Sequence, residues 1–359
     1  MNRLLACGVM FLGAAASLRT QTPDPGYLVG VVSESGDMVT WIRPGADALT
    51  LDRTVPLGIM PADIDGPHNL AVSPDNRFYY VTIAHGQPFG TLWKMDATAD
   101  TLIGRATVEM FPTTIALTPD GGYAFVANSD FHGDHPRMNV VSVVYTPSMT
   151  KITDLMLCDM PHGVKANHAG TRVYVSCMHS DEIVELDVST FDVLRRTKVG
   201  GGHAMASAPG QAGLEDECAA TFISVSPDDA TLYVACNKKS TLQVWDAASL
   251  TLKREIHVGK GAYNVEPSPD GRYVIVTNKK EQSVSMLDAG TLEELARIPT
   301  SKPIVHGVAY APDHRYAYIS CESIGSDPGA VDMIDLASRI VVASIAIPAQ
   351  PTGIAIWRR

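Results

Sequence analysis

NVEPSPDGRYVIVTN, at residues 264–278, is one copy of a phrase that recurs along this 359-residue chain. Each copy has an alternating apolar run, a turn segment and a second β-rich run that ends in Thr, Asn or Cys. Such runs, separated by turn residues, predict short β-strands. The other full copies are NLAVSPDNRFYYVT (69–82), TIALTPDGGYAFVAN (114–128), GVKANHAGTRVYVSC (163–177), FISVSPDDATLYVAC (222–236) and GVAYAPDHRYAYISC (307–321).

The repeating unit is longer than this phrase. In the copy that opens at Phe222, the runs FISVS, TLYVAC, TLQVWD and LKREIHVG follow one another between turns. Four strands in a unit of about forty residues are typical of a β-propeller. Six whole copies and a shortened seventh, GIAIW at 353–357, predict an all-β fold with seven four-stranded blades.

The two incomplete copies are expected to form one blade. The segment from Tyr27 has the later part of a unit without its beginning, and GIAIW is a beginning without the later part. The C-terminal strand should therefore complete the sheet of the N-terminal strands, which closes the ring and protects its edges. This predicts a single propeller domain over residues 27–359.

The segment before the propeller has the composition of an export signal. Residues 1–17 carry one charge at Arg3, an apolar run and a small-residue end, which predicts a signal peptide, and residues 18–26 are interpreted as a linker. No later run is long enough to cross a membrane. A periplasmic or secreted, monomeric protein is the expectation. The net charge of -11, with scattered basic residues, argues against nucleic acid as a partner.

The PDGRYVIVTN and SPDNRFYYVT phrases, followed by closing runs such as VWDAAS, resemble the YVTN-type β-propeller repeat. That repeat is similar to those of cytochrome d1-like and surface-layer propellers. The resemblance covers almost the whole predicted mature chain and implies the propeller fold. It implies little about function, because such propellers serve as binding modules, dehydrogenase subunits and metalloenzyme scaffolds.

The repeat register predicts which residues meet at the mouth of the central channel. The first strand of each blade lines the channel, and the residue five positions before the turn should lie at its top. Three of these seven residues are histidines and the others carry a hydroxyl. The predicted channel-mouth residues are His68, Thr113, His162, Thr221, Tyr263, His306 and Thr352.

Two interpretations of the mouth histidines remain open. One interpretation is that they are hydrogen-bonding groups between blades. The other is that they are ligands of copper or zinc, since three imidazoles are a suitable first coordination shell. His68, His162 and His306 are the candidate metal ligands, with His179 and His203, also assigned to the top face, as weaker candidates. Further groups proposed for such a site are Tyr263, Glu215, Asp216 and Glu217. His168, His257 and His314 are expected elsewhere.

Three cysteines share one register, the end of the second strand: Cys177, Cys236 and Cys321. Equivalent positions on different blades lie beyond disulfide reach, so these three are not expected to pair with one another. Five cysteines after the signal are too few for a disulfide scaffold. The expectation is that all three are packed single residues with free thiols. The alternative is a soft copper site made by Cys177, Met178 and His179.

Other motifs give weaker indications. The loop that holds Asp130, His132, Asp134 and His135 is interpreted as a solvated loop or as an exposed cation site. The sequence has no haem-attachment motif, nucleophile elbow, zincin motif or phosphate-binding loop. The favoured function is therefore an exported binding or scaffold propeller whose top face and channel mouth bind a small ligand or a periplasmic protein. The alternatives are a metal-dependent or redox-associated enzyme or dehydrogenase-type subunit, and a ring-opening hydrolase like some related propellers.

Overall fold

The computed structural model describes residues 26–58, 65–85, 89–129, 139–199 and 218–359. Within these ranges all regular structure is β-strand, and no helical segment has the length and apolarity of a membrane crossing. The predicted signal peptide and nearly all of the predicted linker lie outside the described residues. The strands are β1 (Tyr27–Ser33), β2 (Met38–Pro44), β3 (Leu49–Pro56), β4 (Pro67–Val72), β5 (Phe78–Ile83), β6 (Thr91–Asp96), β7 (Leu102–Thr107), β8 (Pro112–Leu117), β9 (Tyr123–Asn128), β10 (Val140–Tyr145), β11 (Thr150–Met156), β12 (Pro161–Ala166), β13 (Arg172–Cys177), β14 (Glu182–Asp187), β15 (Val193–Lys198), β16 (Ala220–Val225), β17 (Thr231–Cys236), β18 (Thr241–Asp246), β19 (Thr251–His257), β20 (Ala262–Pro267), β21 (Tyr273–Asn278), β22 (Ser283–Asp288), β23 (Glu294–Pro299), β24 (Ile304–Tyr310), β25 (Tyr316–Glu322), β26 (Pro328–Asp335), β27 (Ile340–Ala349) and β28 (Pro351–Arg358).

These strands form seven antiparallel four-stranded sheets, which are the blades of a β-propeller. Blade 1 has the strand order β28-β1-β2-β3, and blades 2 to 7 each take four consecutive strands, beginning with β4, β8, β12, β16, β20 and β24. The innermost strand of blade 1 is therefore β28. Leu28 pairs with Trp357 and Tyr27 with Arg358, so the predicted closure by the C-terminal strand is confirmed.

The turn between the first two strands of a blade explains why the same phrase recurs along the chain. In blade 2, the Ser73 hydroxyl donates to the Asp75 carboxylate (2.6 Å) and accepts from the Phe78 amide (2.9 Å). Asn76 takes the left-handed conformation with φ 58°. The Ser-Pro-Asp order thus supplies both hydrogen-bonding groups, and Gly, Asn or Asp tolerates the next backbone conformation. His314 occupies this left-handed position in blade 7, with φ 58°.

The apolar core is divided among the interfaces between neighbouring blades. Between blades 1 and 2, Trp41 contacts Tyr79 and Trp357, with ring centroids 5.3 and 5.6 Å apart. The Arg53 guanidinium lies 5.2 Å from the Trp357 ring centroid. Each strand alternates its side chains between the two faces of a blade, so both faces are buried by neighbours. Trp357 shows that the closing strand contributes to this core as well as to the sheet.

The prediction of free thiols is wrong for two of the three cysteines. Cys177 is bonded to Cys158, and Cys236 is bonded to Cys218. Each partner lies in the loop that enters the same blade, where the Cα–Cα distances are 6.0 and 4.5 Å, inside disulfide reach. Cys321 is a buried free thiol, as predicted. No two of the three cysteines in the shared register are bonded to each other.

The disulfides can be tested by alkylating the unreduced, denatured protein and digesting it. We expect one linked peptide pair that contains Cys158 and Cys177 and a second that contains Cys218 and Cys236. Cys321 should be alkylated, since denaturation exposes its thiol. Alkylated Cys177 or Cys236 without prior reduction would contradict the pairing.

Candidate functional site

The channel mouth is built from a repeated backbone irregularity. Strand pairing is shifted at Pro67/Asn69, Pro161/Gly163, Ala262/Val265 and Val305/Val308, around four of the predicted mouth residues. In each case the amide after the mouth residue donates to a hydroxyl on the second strand. These bonds run from Asn69 to Thr82 (2.9 Å), Gly163 to Ser176 (3.2 Å), Asn264 to Thr277 (2.9 Å) and Gly307 to Ser320 (2.8 Å).

All seven predicted mouth residues are buried, but they differ in role. The hydroxyls of the three threonines donate hydrogen bonds to backbone carbonyls of the next blade. Thr352 donates to the carbonyl of His68 (2.7 Å), Thr113 to that of His162 (3.3 Å) and Thr221 to that of Tyr263 (2.6 Å). Their hydroxyls therefore join blades.

The side chains of His68, His162, Tyr263 and His306 converge at the mouth with two phenylalanines. The Tyr263 ring centroid lies 4.8 Å from that of His306 and 5.6 Å from that of His162. His68 lies 5.7 Å from His306 and 5.4 Å from Phe111. Phe222 contacts His162 at 5.1 Å. This set of six rings is called the ring cluster below.

A cavity of about 460 Å³ opens above the ring cluster. This volume lies within the range of small-molecule sites, roughly 300–1,000 Å³. Every blade contributes at least one residue to its wall. The lining residues are Glu34, His68, Phe111, Met178, Thr221, Asn237, Tyr263, Lys279, Lys280, Ile304 and Gln350.

One wall of the cavity holds a carboxylate between two imidazoles. Glu34 accepts from His68 Nδ1 (2.8 Å) and His85 Nε2 (3.0 Å). Burial alone would raise the pKa of Glu34, but these two bonds outweigh it and hold the pKa far below its usual range. Gly66, with φ +61°, permits this arrangement, because a Cβ there would lie 1.9 Å from the His85 ring. His68 is left with Nε2 as its unprotonated nitrogen when neutral.

His162 has a defined tautomer. Its Nδ1 lies 2.7 Å from the carbonyl of Thr221, which can only accept, so Nδ1 carries the hydrogen. The Tyr263 hydroxyl therefore donates to Nε2, at 3.3 Å. Burial and repulsion from His68 lower the pKa of His162 to about 3, against the opposing effect of the Thr221 carbonyl. His162 is neutral at physiological pH and its polar atoms are used within the protein.

The opposite wall carries a lysine. Lys279 Nζ lies 4.1 Å from the Tyr263 ring centroid and 3.3 Å from Glu322 Oε1. Burial alone would lower the pKa of Lys279, but Tyr263 and Glu322 outweigh it and raise the pKa. Burial raises the pKa of Glu322, although Lys279 opposes the shift.

His306 lies beneath this wall, with an exposed fraction of only 2%. Burial, Lys279 and the other mouth histidines lower its pKa well below the usual value. Within the described part of the chain, neither of its ring nitrogens has a hydrogen-bond partner, and the nearest carboxylate oxygen, on Glu322, is 3.9 Å from Nε2. A neutral imidazole carries one N–H group, and leaving it unpaired in a buried place costs about 1–3 kcal/mol.

The copper or zinc interpretation gains no support from this geometry. Among the described residues, no group of three or more His, Cys, Asp or Glu side chains is arranged to hold a metal ion. The alternative prediction of a copper site at Cys177, Met178 and His179 is wrong about Cys177, because a disulfide-bonded cysteine has no thiolate to bind copper. His179 is described, and its amide lies 3.3 Å from the Asp159 carbonyl. The predictions for His203, for residues 215–217 and for the loop at 130–135 fall outside the described residues.

The histidines expected away from the mouth do lie elsewhere. His168 occupies a turn between the first two strands of blade 4, where its Nδ1 lies 2.8 Å from Asp229. His257 ends the outer strand β19. Sequence reasoning missed Glu34, Phe111, Lys279 and Glu322. For Lys279 a signal exists, because Asn-Lys-Lys occurs where the second strand ends in both blade 5 (237–239) and blade 6 (278–280).

Comparisons with known proteins support the fold and one family likeness. A family model described as the cytochrome D1 heme domain matches residues 218–307, which span blades 5 and 6 and the start of β24. The periplasmic gluconolactonase of Pseudomonas aeruginosa is 18% identical, over 92% of this chain and 99% of that chain, with a TM-score of 0.71.

Two further structures show the same architecture. The hydrazine synthase of Kuenenia stuttgartiensis is 21% identical, over 78% of this chain and 79% of that chain, with a TM-score of 0.62. A dihydro-heme d1 dehydrogenase in complex with DHE is 16% identical, over 94% of this chain and 76% of that chain, with a TM-score of 0.58. No curated protein matches. At these identities the likeness establishes the propeller fold, and the YVTN-type repeat stays a resemblance.

The neutral His162 predicts a pH dependence of stability. Its pKa is about 3 in the folded chain against 6.5 for an ordinary histidine, so below pH 6.5 the unfolded chain binds a proton that the folded chain does not. The free energy of unfolding should therefore fall as the pH drops from about 6.5 towards 3. His162→Asn keeps a donor near the Thr221 carbonyl and should flatten this slope, at a cost of about 1–3 kcal/mol at pH 7.

Urea denaturation between pH 7 and pH 4.5 measures this slope. His257→Asn, on the exposed outer strand β19, is the matched control and should leave both slope and stability unchanged. An equally steep slope in the His162→Asn variant would show that other groups cause the acid sensitivity.

Proposed function

We propose that this chain is an exported β-propeller that binds a small organic ligand in the cavity at its channel mouth. The observation that carries the proposal is the cavity itself, about 460 Å³ in volume and walled by all seven blades. Apolar contacts would come from Phe111, Met178 and Ile304, and polar contacts from His68 and Lys279. Such a combination of apolar walls and a few convergent polar groups is typical of small-molecule sites.

Export is part of the proposal and has two supports. The first is the predicted signal peptide at residues 1–17. The second is the pair of disulfides, since stable disulfides belong to oxidising compartments such as the periplasm. Because one chain supplies every lining residue, we propose that the monomer binds the ligand.

Binding at the mouth can be tested with a mixed library of neutral, anionic and cationic aromatic fragments, observed by saturation-transfer NMR. We expect several fragments to bind and to compete with one another for a single site. Met178→Trp should abolish this binding, because the indole would fill part of the cavity. Met156→Trp is the matched control, since Met156 is 74% exposed on the outer strand β11. Equal binding to both variants, or to neither, would refute the mouth site.

A haem-type cofactor is a second candidate, favoured by the family-model match over residues 218–307. The donor chemistry fits in one respect: Glu34 holds Nδ1 of His68, so a neutral His68 would offer Nε2, the kind of nitrogen that ligates haem iron. A bound haem would supply redox chemistry. Absorption spectra during titration with haem would test this, and His68→Gln should remove any band that arises from ligation.

A further inference from the structure

Lysines are concentrated on the top face of blades 5 to 7, in a chain whose net charge is -11. The repeated Asn-Lys-Lys segments place two lysines after β17 and two after β21. Others precede β20 and β24. This basic rim consists of Lys238, Lys239, Lys260, Lys279, Lys280 and Lys302.

Backbone hydrogen bonds hold parts of the rim together. The Lys280 amide donates to the carbonyl of Lys260 (3.0 Å), and the Lys238 amide donates to that of Cys218 (3.1 Å). These bonds bring the loop that enters a blade against the loop that leaves its second strand. Lys279 and Lys280 both line the cavity. The rim therefore runs into the cavity wall.

The carboxylates near the rim already have partners. Glu34 accepts from two histidines, Glu322 is paired with Lys279, and Glu281 is paired with Arg297 at 2.7 Å. Within the described ranges, the ammonium groups of Lys260 and Lys280 have no carboxylate at ion-pair distance. Residues 215–217, which include two Glu and one Asp, lie outside those ranges. The charges of Lys260 and Lys280 are therefore not paired with any carboxylate of the described residues.

A second feature, the unpartnered His306, lies next to the same wall. His306 is buried, contacts the Tyr263 ring and has no hydrogen-bond partner for either nitrogen among the described residues. It lies beneath the two side chains, Lys279 and Tyr263, that form this wall. At the cavity wall above His306, the ammonium of Lys279 would meet an anionic group of a ligand.

We propose that the cavity binds an organic carboxylate with an apolar or aromatic body, guided in by the basic rim. The proposal rests on the mouth being a ligand site. The carboxylate would lie at Lys279 and Lys280, and the apolar body against Phe111, Met178 and Ile304. A positive rim around a cleft raises the association rate of anions, and this effect weakens as salt increases.

Three probes of similar size test the charge preference: 2-naphthoate, 2-naphthamide and 2-naphthylmethylamine, each titrated by isothermal calorimetry. We expect naphthoate to bind at least tenfold more tightly than naphthamide, and naphthylmethylamine to bind most weakly. Charge-assisted hydrogen bonds give differences of this order. Naphthoate affinity should fall severalfold between 20 and 300 mM NaCl, whereas naphthamide affinity should not.

Lysine variants identify the side chains that cause the preference for naphthoate over naphthamide. Lys279→Gln should cost about tenfold in naphthoate affinity and little in naphthamide affinity. Because Lys279→Gln leaves Glu322 buried and unpaired, the double variant Lys279→Gln, Glu322→Gln provides a neutral pair with the same expected loss. Lys280→Gln should cost about two- to fivefold. Lys253→Gln, which removes a lysine paired with Asp246 away from the mouth, is the matched control and should change nothing.

The outcomes separate the two proposals. If naphthamide binds as tightly as naphthoate and Met178→Trp abolishes both, the carboxylate inference is overturned and the ligand site stands. If Met178→Trp leaves the affinity of every bound probe unchanged, or no probe binds, both proposals fail. A naphthoate preference that survives in the double variant also overturns the assignment to Lys279.

Discussion

The channel mouth depends on one kind of hydrogen bond between blades. A side-chain hydroxyl near the inner edge of one blade donates it to a backbone carbonyl of the next blade. Among the described residues, six of the seven blade interfaces have such a bond, from Thr352, Thr113, Ser176, Thr221, Thr277 and Ser320. At the remaining interface the Ile115 amide donates to the Asn69 side chain (3.3 Å). The carbonyls that accept these hydroxyls are buried, so each would cost about 1–3 kcal/mol if left unpaired.

These bonds explain which residue types alternate around the mouth. Where the mouth residue is Thr, the residue that faces it on the second strand is Val32, Ala127 or Ala235, without a hydroxyl. Where the mouth residue is His or Tyr, the second strand supplies Thr or Ser. In blades 4, 6 and 7 the donated hydroxyl comes from the second strand, which leaves the large side chains of His162, Tyr263 and His306 free to join the ring cluster.

The repeat predicted the seven blades, their closure and the seven mouth positions, because each depends on residues that recur at one spacing. It did not predict the disulfides, since Cys158 and Cys218 lie in entry loops that the repeated phrase does not include. Glu34 was missed for a related reason, as it follows the second strand of the divided blade, where the copy is incomplete. The metal hypothesis was based on three histidines at the mouth. In the structure the Thr221 carbonyl and the Tyr263 hydroxyl occupy both ring nitrogens of His162, which sequence alone does not reveal.

The divided blade has a consequence for the order in which this molecule can assemble. The carbonyl of His68 accepts its hydrogen bond from Thr352, 284 residues later in the chain, and Gln350 joins Glu34 in the same cavity wall. Neither contact can form until synthesis has passed residues 350–352. Contacts between such distant residues make folding slow. Until then a nascent chain has an open ring and an unfinished cavity at the channel mouth.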